Sequence, residues 1–256
     1  MVFLGSRALG RFALEFLTGR PDIELVGKVT LDDYSAAYWD QDPSDLHFPP
    51  DIALEDLKHL DFDLGISVNY WKLVSAEILD RASIGFFNIH HSYNLSYRGL
   101  NMNTLAIIRA RETGQWYHGT TLHEMAETFD SGSIVASYAC PIHETDTARS
   151  LFSRVEALSR QMIVDWFPRL WSGKIVRTTP GADYVYFSRR DMVSKRLDPA
   201  WSMLKIYDYV RALDFEPFEP AYVEDETGRT YLTTRIEVAD SLYGDAGEGR
   251  RVFVRS

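Results

Sequence analysis

Short apolar runs alternate with stretches of helical periodicity through the first two thirds of this chain. The run at residues 62–68 has the composition of a buried parallel strand, and the runs at 2–4 and 84–89 predict further strands. After the first run, apolar residues recur at helical spacing until Gly19, at Leu9, Phe12, Ala13, Phe16 and Leu17. Strands that alternate with helices in this way predict an α/β fold with a doubly wound, mostly parallel sheet.

The same plan continues along the chain and changes in character after Pro180. We predict further strands at 23–29, 119–125 and 134–138, and helices at 74–79, 103–111 and 148–171. Residues 32–51 are rich in polar residues and proline and predict an irregular surface segment. Later strands at 184–188, 231–238 and 252–255, with a helix at 201–213, indicate a small α+β region. We therefore expect a main domain at 1–176 and a small C-terminal subdomain at 177–256.

Asn88 and His90 lie two residues apart at the end of the predicted strand at 84–89. Because side chains of a strand alternate between its two faces, both should lie on the same face. Open α/β sheets bind their ligands at the carboxyl ends of their strands. Asp130 lies in a polar turn beside Ser131 and Gly132, from which its carboxylate could reach the imidazole of His90. An amide, an imidazole and a carboxylate suit a reaction that passes through a tetrahedral oxyanion.

Composition excludes several classes of protein. The formal charge of −10 disfavours non-specific nucleic-acid binding, which needs clustered Lys and Arg. Cys140 is the single cysteine, so no intrachain disulfide can form, as is usual in a reducing cytoplasm. The chain contains seven histidines but neither metal-ligand spacing nor cysteine ligands, and we expect no metal. No apolar run is long enough to span a bilayer, and we predict a cytoplasmic protein without membrane partners.

Four motifs follow one another in an order that resembles the formyltransferases that use 10-formyltetrahydrofolate. They are Asn88-Ile89-His90, Tyr97-Arg98-Gly99, Gly119-Thr120-Thr121-Leu122-His123 and Asp130-Ser131-Gly132-Ser133-Ile134. The opening Phe3-Leu4-Gly5-Ser6 is similar to the first strand and turn of that family. The resemblance covers about two thirds of the chain and implies a formyltransferase fold with 10-formyltetrahydrofolate as the formyl donor.

The resemblance also implies roles for individual residues. Asn88, His90 and Asp130 would be catalytic: the amide would donate to the oxyanion, the imidazole would stabilise it or move the amine proton, and the carboxylate would orient the imidazole. The expected folate contacts are Val68, Asn69, Tyr70, Met125 and Glu127. For Asn69 and Tyr70 a plain polar turn is an equally good interpretation.

The acceptor implied by the resemblance is the amine of a nucleotide-linked amino deoxysugar, as in enzymes that decorate O-antigen or antibiotic sugars. Residues 177–256 hold 12 Lys and Arg against 14 Asp and Glu, a net charge of −2, which argues against a tRNA acceptor. The expected substrate contacts are Arg98, Asn101, Asn103, Tyr186 and Arg189. Asn101 and Asn103 could instead cap a helix, and Arg189 could form a surface ion pair. The small tail in such relatives often builds a dimer interface, so we expect a homodimer.

Two alternatives remain open at the level of sequence. One is an enzyme with a different formyl acceptor, such as hydroxyornithine, methionyl-tRNA or water. The other is a non-catalytic folate-binding protein whose site has decayed. Two features also depart from the family pattern. Asp130 follows His90 by 40 positions, a few more than the resemblance implies, with the extra residues expected near 115–118. The chain begins almost directly on its first strand, so a few residues could be missing upstream.

Overall fold

The computed structural model describes residues 1–31, 50–191, 193–234 and 251–253, without the side chains of 189 and 251–253. Its strands, in chain order, are β1 (Val2–Gly5), β2 (Gly27–Thr30), β3 (Leu64–Val68), β4 (Gly85–His90), β5 (Tyr97–Gly99), β6 (Tyr117–Glu124), β7 (Ile134–Pro141), β8 (Val185–Phe187), β9 (Ala221–Asp225), β10 (Gly228–Thr233) and β11 (Arg251–Phe253).

Five α-helices accompany these strands in the described residues: α1 (Arg7–Thr18), α2 (Ala76–Leu79), α3 (Met102–Thr113), α4 (Ala148–Trp171) and α5 (Met203–Ala212). Three short 3₁₀ helices cover Leu54–His59, Tyr93–Leu95 and Arg189–Asp191. Within the described part of the chain, none of the helices is both long enough and apolar enough to cross a bilayer.

Six of the strands form the central sheet, in the order β2-β1-β3-β4-β6-β7. β1 runs parallel to both β2 and β3, and β3 runs parallel to β4. β6 breaks this pattern because it runs antiparallel to β4. The prediction of a mostly parallel sheet is confirmed, and the reversal at β6 is the feature that the apolar pattern did not reveal.

The two faces of the sheet carry separate apolar clusters. Phe3, Ile66 and Phe87 lie in one cluster with buried residues of α1 and of the second half of α4. Val2, Leu4 and Phe86 lie in the other, with side chains from the segment around the first 3₁₀ helix and from α2. Neighbours in sequence, such as Phe86 and Phe87, thus point to opposite sides, as the strand pleat requires. The sheet is covered on both faces, which confirms the doubly wound arrangement.

The chain divides into two compact units, each assembled from three segments. The first comprises residues 1–98, 119–139 and 156–185, and the second comprises 99–118, 140–155 and 186–256. In the second unit, Arg111 of α3 pairs with Asp208 of α5 at 2.7 Å, and the fully buried Arg211 pairs with Asp208 at 2.9 Å. The division at residue 176 that we expected from the sequence stays a prediction.

The C-terminal region contains a second sheet, in the order β11-β10-β9, beside α5. β9 and β10 form an antiparallel pair whose register joins Asp225 to Gly228, and only two residues connect them. A small α+β region is therefore confirmed. The strand β9 was missed because only its first three residues are apolar, and Glu224 and Asp225 at its end make the segment resemble a polar loop.

Most predicted elements are present with shifted ends, and α4 begins and ends as predicted. The strand expected at 23–29 covers only Gly27–Thr30, because Ile23 and Leu25 pack against the core from an irregular segment. β5 was missed, since three residues are too few to show a periodicity. Parts of three predictions, the segment at 32–51 and the strands at 231–238 and 252–255, lie outside the described residues.

Replacement of Gly119 in β6 by alanine should destabilise the protein strongly. A Cβ at this position would lie 1.9 Å from the carbonyl oxygen of Tyr138, a backbone atom that cannot turn away. We expect Gly119→Ala to lower the free energy of unfolding by about 3 kcal/mol and the melting temperature by roughly 10 °C. Gly181→Ala is the matched control, because its Cβ would meet nothing within 4 Å. Equal melting temperatures for the two variants would contradict the packing described for β6.

Candidate active site

The strand β4 presents Asn88 and His90 on one face of the sheet. Phe87 and Ile89, which alternate with them, belong to the apolar cluster on the opposite face. His90 is the last residue of β4 and is buried, and Asn88 is half-buried. The prediction that the pleat places both side chains together at the carboxyl end of a strand is therefore confirmed.

Both ring nitrogens of His90 face an oxygen atom. Its Nε2 lies 2.9 Å from the carbonyl oxygen of Tyr97, and its Nδ1 lies 3.4 Å from Oδ1 of Asp130. A carbonyl oxygen only accepts hydrogen bonds, so Nε2 must carry a proton and donate it to Tyr97. The second nitrogen is then the one that faces the carboxylate. The expected contact between His90 and Asp130 is present in the structure.

A strained turn brings Asp130 into this position. Asp130 has a φ of +52°, in the left-handed region that few residues other than glycine adopt. Gly132 follows it where a Cβ would lie 2.0 Å from the carbonyl oxygen of Glu124, so the turn closes tightly on β6. The carboxylate is nearly buried, with a side-chain exposure of 10%. Backbone strain of this kind concentrates at functional sites.

His123 completes the cluster, and sequence reasoning gave it no role. It lies opposite Asn88 in the register of β4 and β6, with its Nε2 3.2 Å from Asn88 Nδ2 and 3.7 Å from Asp130 Oδ1. Its Nδ1 lies 2.7 Å from the carbonyl oxygen of Glu124 and therefore donates to it. In the neutral ring, Nε2 is then an acceptor, which assigns the Asn88 amide nitrogen to the side of His123.

Burial favours this neutral form. It lowers the pKa of His123 to about 4, although the nearby carboxylate of Asp130 acts in the opposite direction. His123 ends the Gly119–His123 motif, and its position at the close of that motif was the one signal that could have identified it. Its contact with Asn88 depends on strand pairing, which the motif does not show.

The other histidines do not extend the cluster into a metal site. The side chain of His91 is buried, and burial lowers its pKa to about 3, with His90 and Arg7 acting in the same direction. Among the residues that the structure describes, no three His, Cys, Asp or Glu side chains are arranged to hold a metal ion.

Three of the five expected folate contacts lie at the end of β3 and in the loop after it. Val68 is fully buried in the core, and Tyr70 is buried in the apolar cluster on the other face. Burial, with Glu55 nearby, raises the pKa of Tyr70 to about 12. Asn69 has a φ of +55°, and its carbonyl oxygen accepts a hydrogen bond of 2.6 Å from the Ser6 hydroxyl. The side chains of Val68 and Tyr70 thus serve the core, which leaves Asn69 as the more accessible of the three.

The other two expected folate contacts line a concave surface. Met125 and Glu127 border an open pocket of about 540 Å³, together with Ala76, Leu79, Asp80, Ala126 and Thr128. The Met125 N–H donates to the carbonyl oxygen of Phe86, two residues before Asn88, so the pocket begins beside the cluster. Its lining combines apolar side chains with the carboxylates of Asp80 and Glu127.

The expected substrate contacts fall in both compact units. In the first unit, Arg98 is buried, its guanidinium lies 3.7 Å from the centroid of the Tyr184 ring, and its Nε donates to the Leu95 carbonyl oxygen. Four others lie in the second unit. Asn101 is the N-cap of α3 with a φ of +59°, and the buried Oδ1 of Asn103 has no hydrogen-bond partner among the described residues. Tyr186 is half exposed, and the side chain of Arg189 lies outside the described residues.

The fold and the cluster together define an α/β protein with an amide, two imidazoles and a carboxylate at the carboxyl end of its sheet. A family profile described as formyl transferase matches residues 43–166. The GDP-perosamine N-formyltransferase of Brucella melitensis is 32% identical over 188 residues, which cover 72% of this chain and 69% of that enzyme. The chain belongs to the formyltransferase family, and the resemblance seen in the motifs is confirmed.

Solved structures share the fold at lower identity. The 4-N formyltransferase of Francisella tularensis matches with a TM-score of 0.77 and 20% identity, over 93% of this chain and 98% of that one. The N-formyltransferase of Helicobacter canadensis, solved with folinic acid and dTDP-3-aminofucose, matches with a TM-score of 0.72 and 18% identity. That match covers 90% of this chain and 85% of the other.

The depressed pKa of His123 should make stability depend on pH. The group titrates at about 4 in the folded protein and at its ordinary 6.5 when unfolded. The unfolded chain therefore binds more protons between these values, and the free energy of unfolding falls as the pH drops from 6.5 to 4. His123→Gln, which keeps an acceptor but does not titrate, should reduce this slope in urea unfolding, and His91, whose pKa is lowered to about 3, accounts for part of the slope that remains. His59→Gln, at an exposed histidine, should leave the wild-type slope unchanged; parallel curves for wild type and His123→Gln would refute the assignment.

Proposed function

We propose that this protein transfers the formyl group of 10-formyltetrahydrofolate to the amine of a nucleotide-linked amino deoxysugar. The observation that carries the proposal is the cluster at the end of β4, where Asp130 lies 3.4 Å from His90 and the Asn88 amide is hydrogen-bonded to His123. The relative from Brucella melitensis, named for a GDP-linked amino sugar, supports the acceptor class. The Helicobacter canadensis structure, with folinic acid and dTDP-3-aminofucose, supports both ligand classes.

In the proposed reaction the neutral acceptor amine attacks the formyl carbon that the folate supplies when bound. The bond from this carbon to the folate nitrogen then breaks, and one proton passes from the amine to the leaving nitrogen. Asn88 donates one N–H of its amide to the oxyanion that develops on the formyl oxygen. The loss of such a donor typically costs about a hundredfold to a thousandfold in rate. Because His123 already accepts the other N–H, the amide does not have to reorient as negative charge develops.

His90 and Asp130 supply charge in this mechanism. With its Nε2 proton held by Tyr97 and its Nδ1 facing Asp130, a protonated His90 can stabilise the oxyanion by its positive charge. It can move a proton to the leaving nitrogen of the folate only when one of these contacts opens. The geometry thus favours the first of the two roles that the sequence left open for His90. Asp130, 3.4 Å from Nδ1, orients the imidazole and fixes the plane of the ring.

The folate is proposed to bind in the open pocket bordered by Met125 and Glu127, with Asn69 contributing from the loop after β3. Arg98, Asn101, Asn103, Tyr186 and Arg189 are proposed to contact the sugar nucleotide. Nucleotide-linked amino sugars of this kind are precursors of O-antigen or antibiotic sugars. We further propose that the protein acts in the cytoplasm, in line with its single, buried cysteine, Cys140. We also propose that it acts as a homodimer. Its net charge of −10 supports small-molecule partners over nucleic acid.

Removal of any one member of the predicted triad should abolish formyl transfer. Asn88→Ala removes the oxyanion donor, His90→Asn removes the positive charge, and Asp130→Ala leaves His90 without its carboxylate. We expect each variant to lose at least about a hundredfold in kcat and to keep a cooperative thermal transition. The control is His59→Asn, at an exposed histidine of the same unit. Turnover near the wild-type rate in any triad variant would remove that residue from the mechanism.

The acceptor class can be tested by thermal shift in the presence of folinic acid. A ligand that binds only the folded protein raises the melting temperature by linkage. We expect a further rise with a GDP-, dTDP- or UDP-linked amino sugar and none with hydroxyornithine. A rise with folinic acid alone would reject the proposed acceptor and keep the folate site. Folinic acid binding without formyl transfer to any amine or to water would favour a non-catalytic folate-binding protein.

A further inference from the structure

Ser67 occupies a position where a serine is unexpected. It lies within β3, is fully buried, and its hydroxyl has no hydrogen-bond partner among the residues described. A buried hydroxyl without a partner costs free energy, and an alanine or valine in a buried strand would avoid that cost. The buried Ser67 hydroxyl is explained if it gains a hydrogen-bond partner in another state of the protein, such as the ligand-bound one.

The register of the sheet places Ser67 directly beside Asn88. β3 and β4 pair with Ile66 against Phe87 and with Ser67 against Asn88. Ile66 and Phe87 both lie in the apolar cluster of one face, so Ser67 and Asn88 share the other face. Neighbouring strands are about 4.8 Å apart, which puts the two side chains within reach of each other.

The direction of the Asn88 amide decides which of its atoms meets Ser67. The amide nitrogen faces β6, where His123 Nε2 accepts its hydrogen bond at 3.2 Å. The oxygen and nitrogen of an amide diverge from Cγ, so with Nδ2 facing β6 the Oδ1 atom is turned away from His123, and β3 is the neighbouring strand on the other side of β4. A change of the Ser67 side chain between staggered rotamers then brings a donor to an acceptor.

We propose that Ser67 is a positioning residue that donates its hydroxyl hydrogen to Asn88 Oδ1 when the folate is bound. Ser67 and His123 would hold the amide from its two ends, the oxygen by a donor and the nitrogen by an acceptor. The second N–H of Asn88 then has one direction left, toward the formyl oxygen. The inference rests on the proposed function, since it assigns to Ser67 the task of orienting the oxyanion donor.

Ser67→Ala removes the hydroxyl and leaves the strand intact. We expect kcat for formyl transfer to fall about tenfold, less than for loss of the donor itself, with KM within about twofold. The melting temperature should stay level or rise, because an unpaired buried hydroxyl is removed. In the Asn88→Ala background, Ser67→Ala should have no further effect on kcat, since its partner is gone. Ile66→Val, on the same strand but the opposite face, is the matched control and should keep the wild-type kcat.

A second measurement does not depend on turnover. In ¹⁵N-labelled protein with folinic acid bound, the Asn88 side-chain amide signals can be assigned by their disappearance in Asn88→Ala. Ser67→Ala should shift this pair, and Ile66→Val should not. Unmoved signals, or a Ser67→Ala kcat within about twofold of wild type, would overturn the role of Ser67. If the wild-type protein forms no formylated sugar nucleotide, the proposed function fails by itself, and the amide signals still decide on Ser67.

Discussion

The antiparallel pairing of β4 with β6 is the constraint on which the site depends. It joins two segments about 35 residues apart in the chain and sets Asn88 opposite His123 and His90 opposite Thr121. A parallel neighbour would have the chain running the other way and would present the end of the Gly119–His123 motif elsewhere. The tight turn after β6 then returns Asp130 to the same face. The contacts that assemble the cluster follow from this one reversal in an otherwise parallel sheet.

The cluster of Asn88, His90, His123 and Asp130 is largely buried, and its hydrogen bonds determine which ring nitrogens carry a proton. Two backbone carbonyls, those of Tyr97 and Glu124, fix one proton on each imidazole. The same burial that lowers the pKa of His123 to about 4 keeps its Nε2 available as an acceptor for Asn88. Asp130 lies within 3.7 Å of both rings and closer to His90. The identical side chains of His90 and His123 thus take different roles, because each has a different set of neighbours.

Much of the architecture could be predicted from the apolar pattern, because buried strands and an amphipathic helix repeat with fixed periods. α4 was predicted with its observed ends, and the face shared by Asn88 and His90 followed from the strand period alone. β5 and β9 were missed, the first for its three residues and the second for its acidic end. The burial of the Val68 and Tyr70 side chains was not evident from the sequence, since a short motif does not reveal how much of a side chain the core covers, and their contact with folate stays a prediction.

The sequence by itself determined the family, the α/β plan and the identity of the amide, imidazole and carboxylate, because each is carried by neighbours along the chain. Only the tertiary structure decided how these groups meet. The partnership of Asn88 with His123, the position of Ser67 beside Asn88 and the two contacts of His90 all join different strands or turns. Strand order, direction and register set those distances, and they result from the packing of the whole sheet. A local pattern of residues does not contain them.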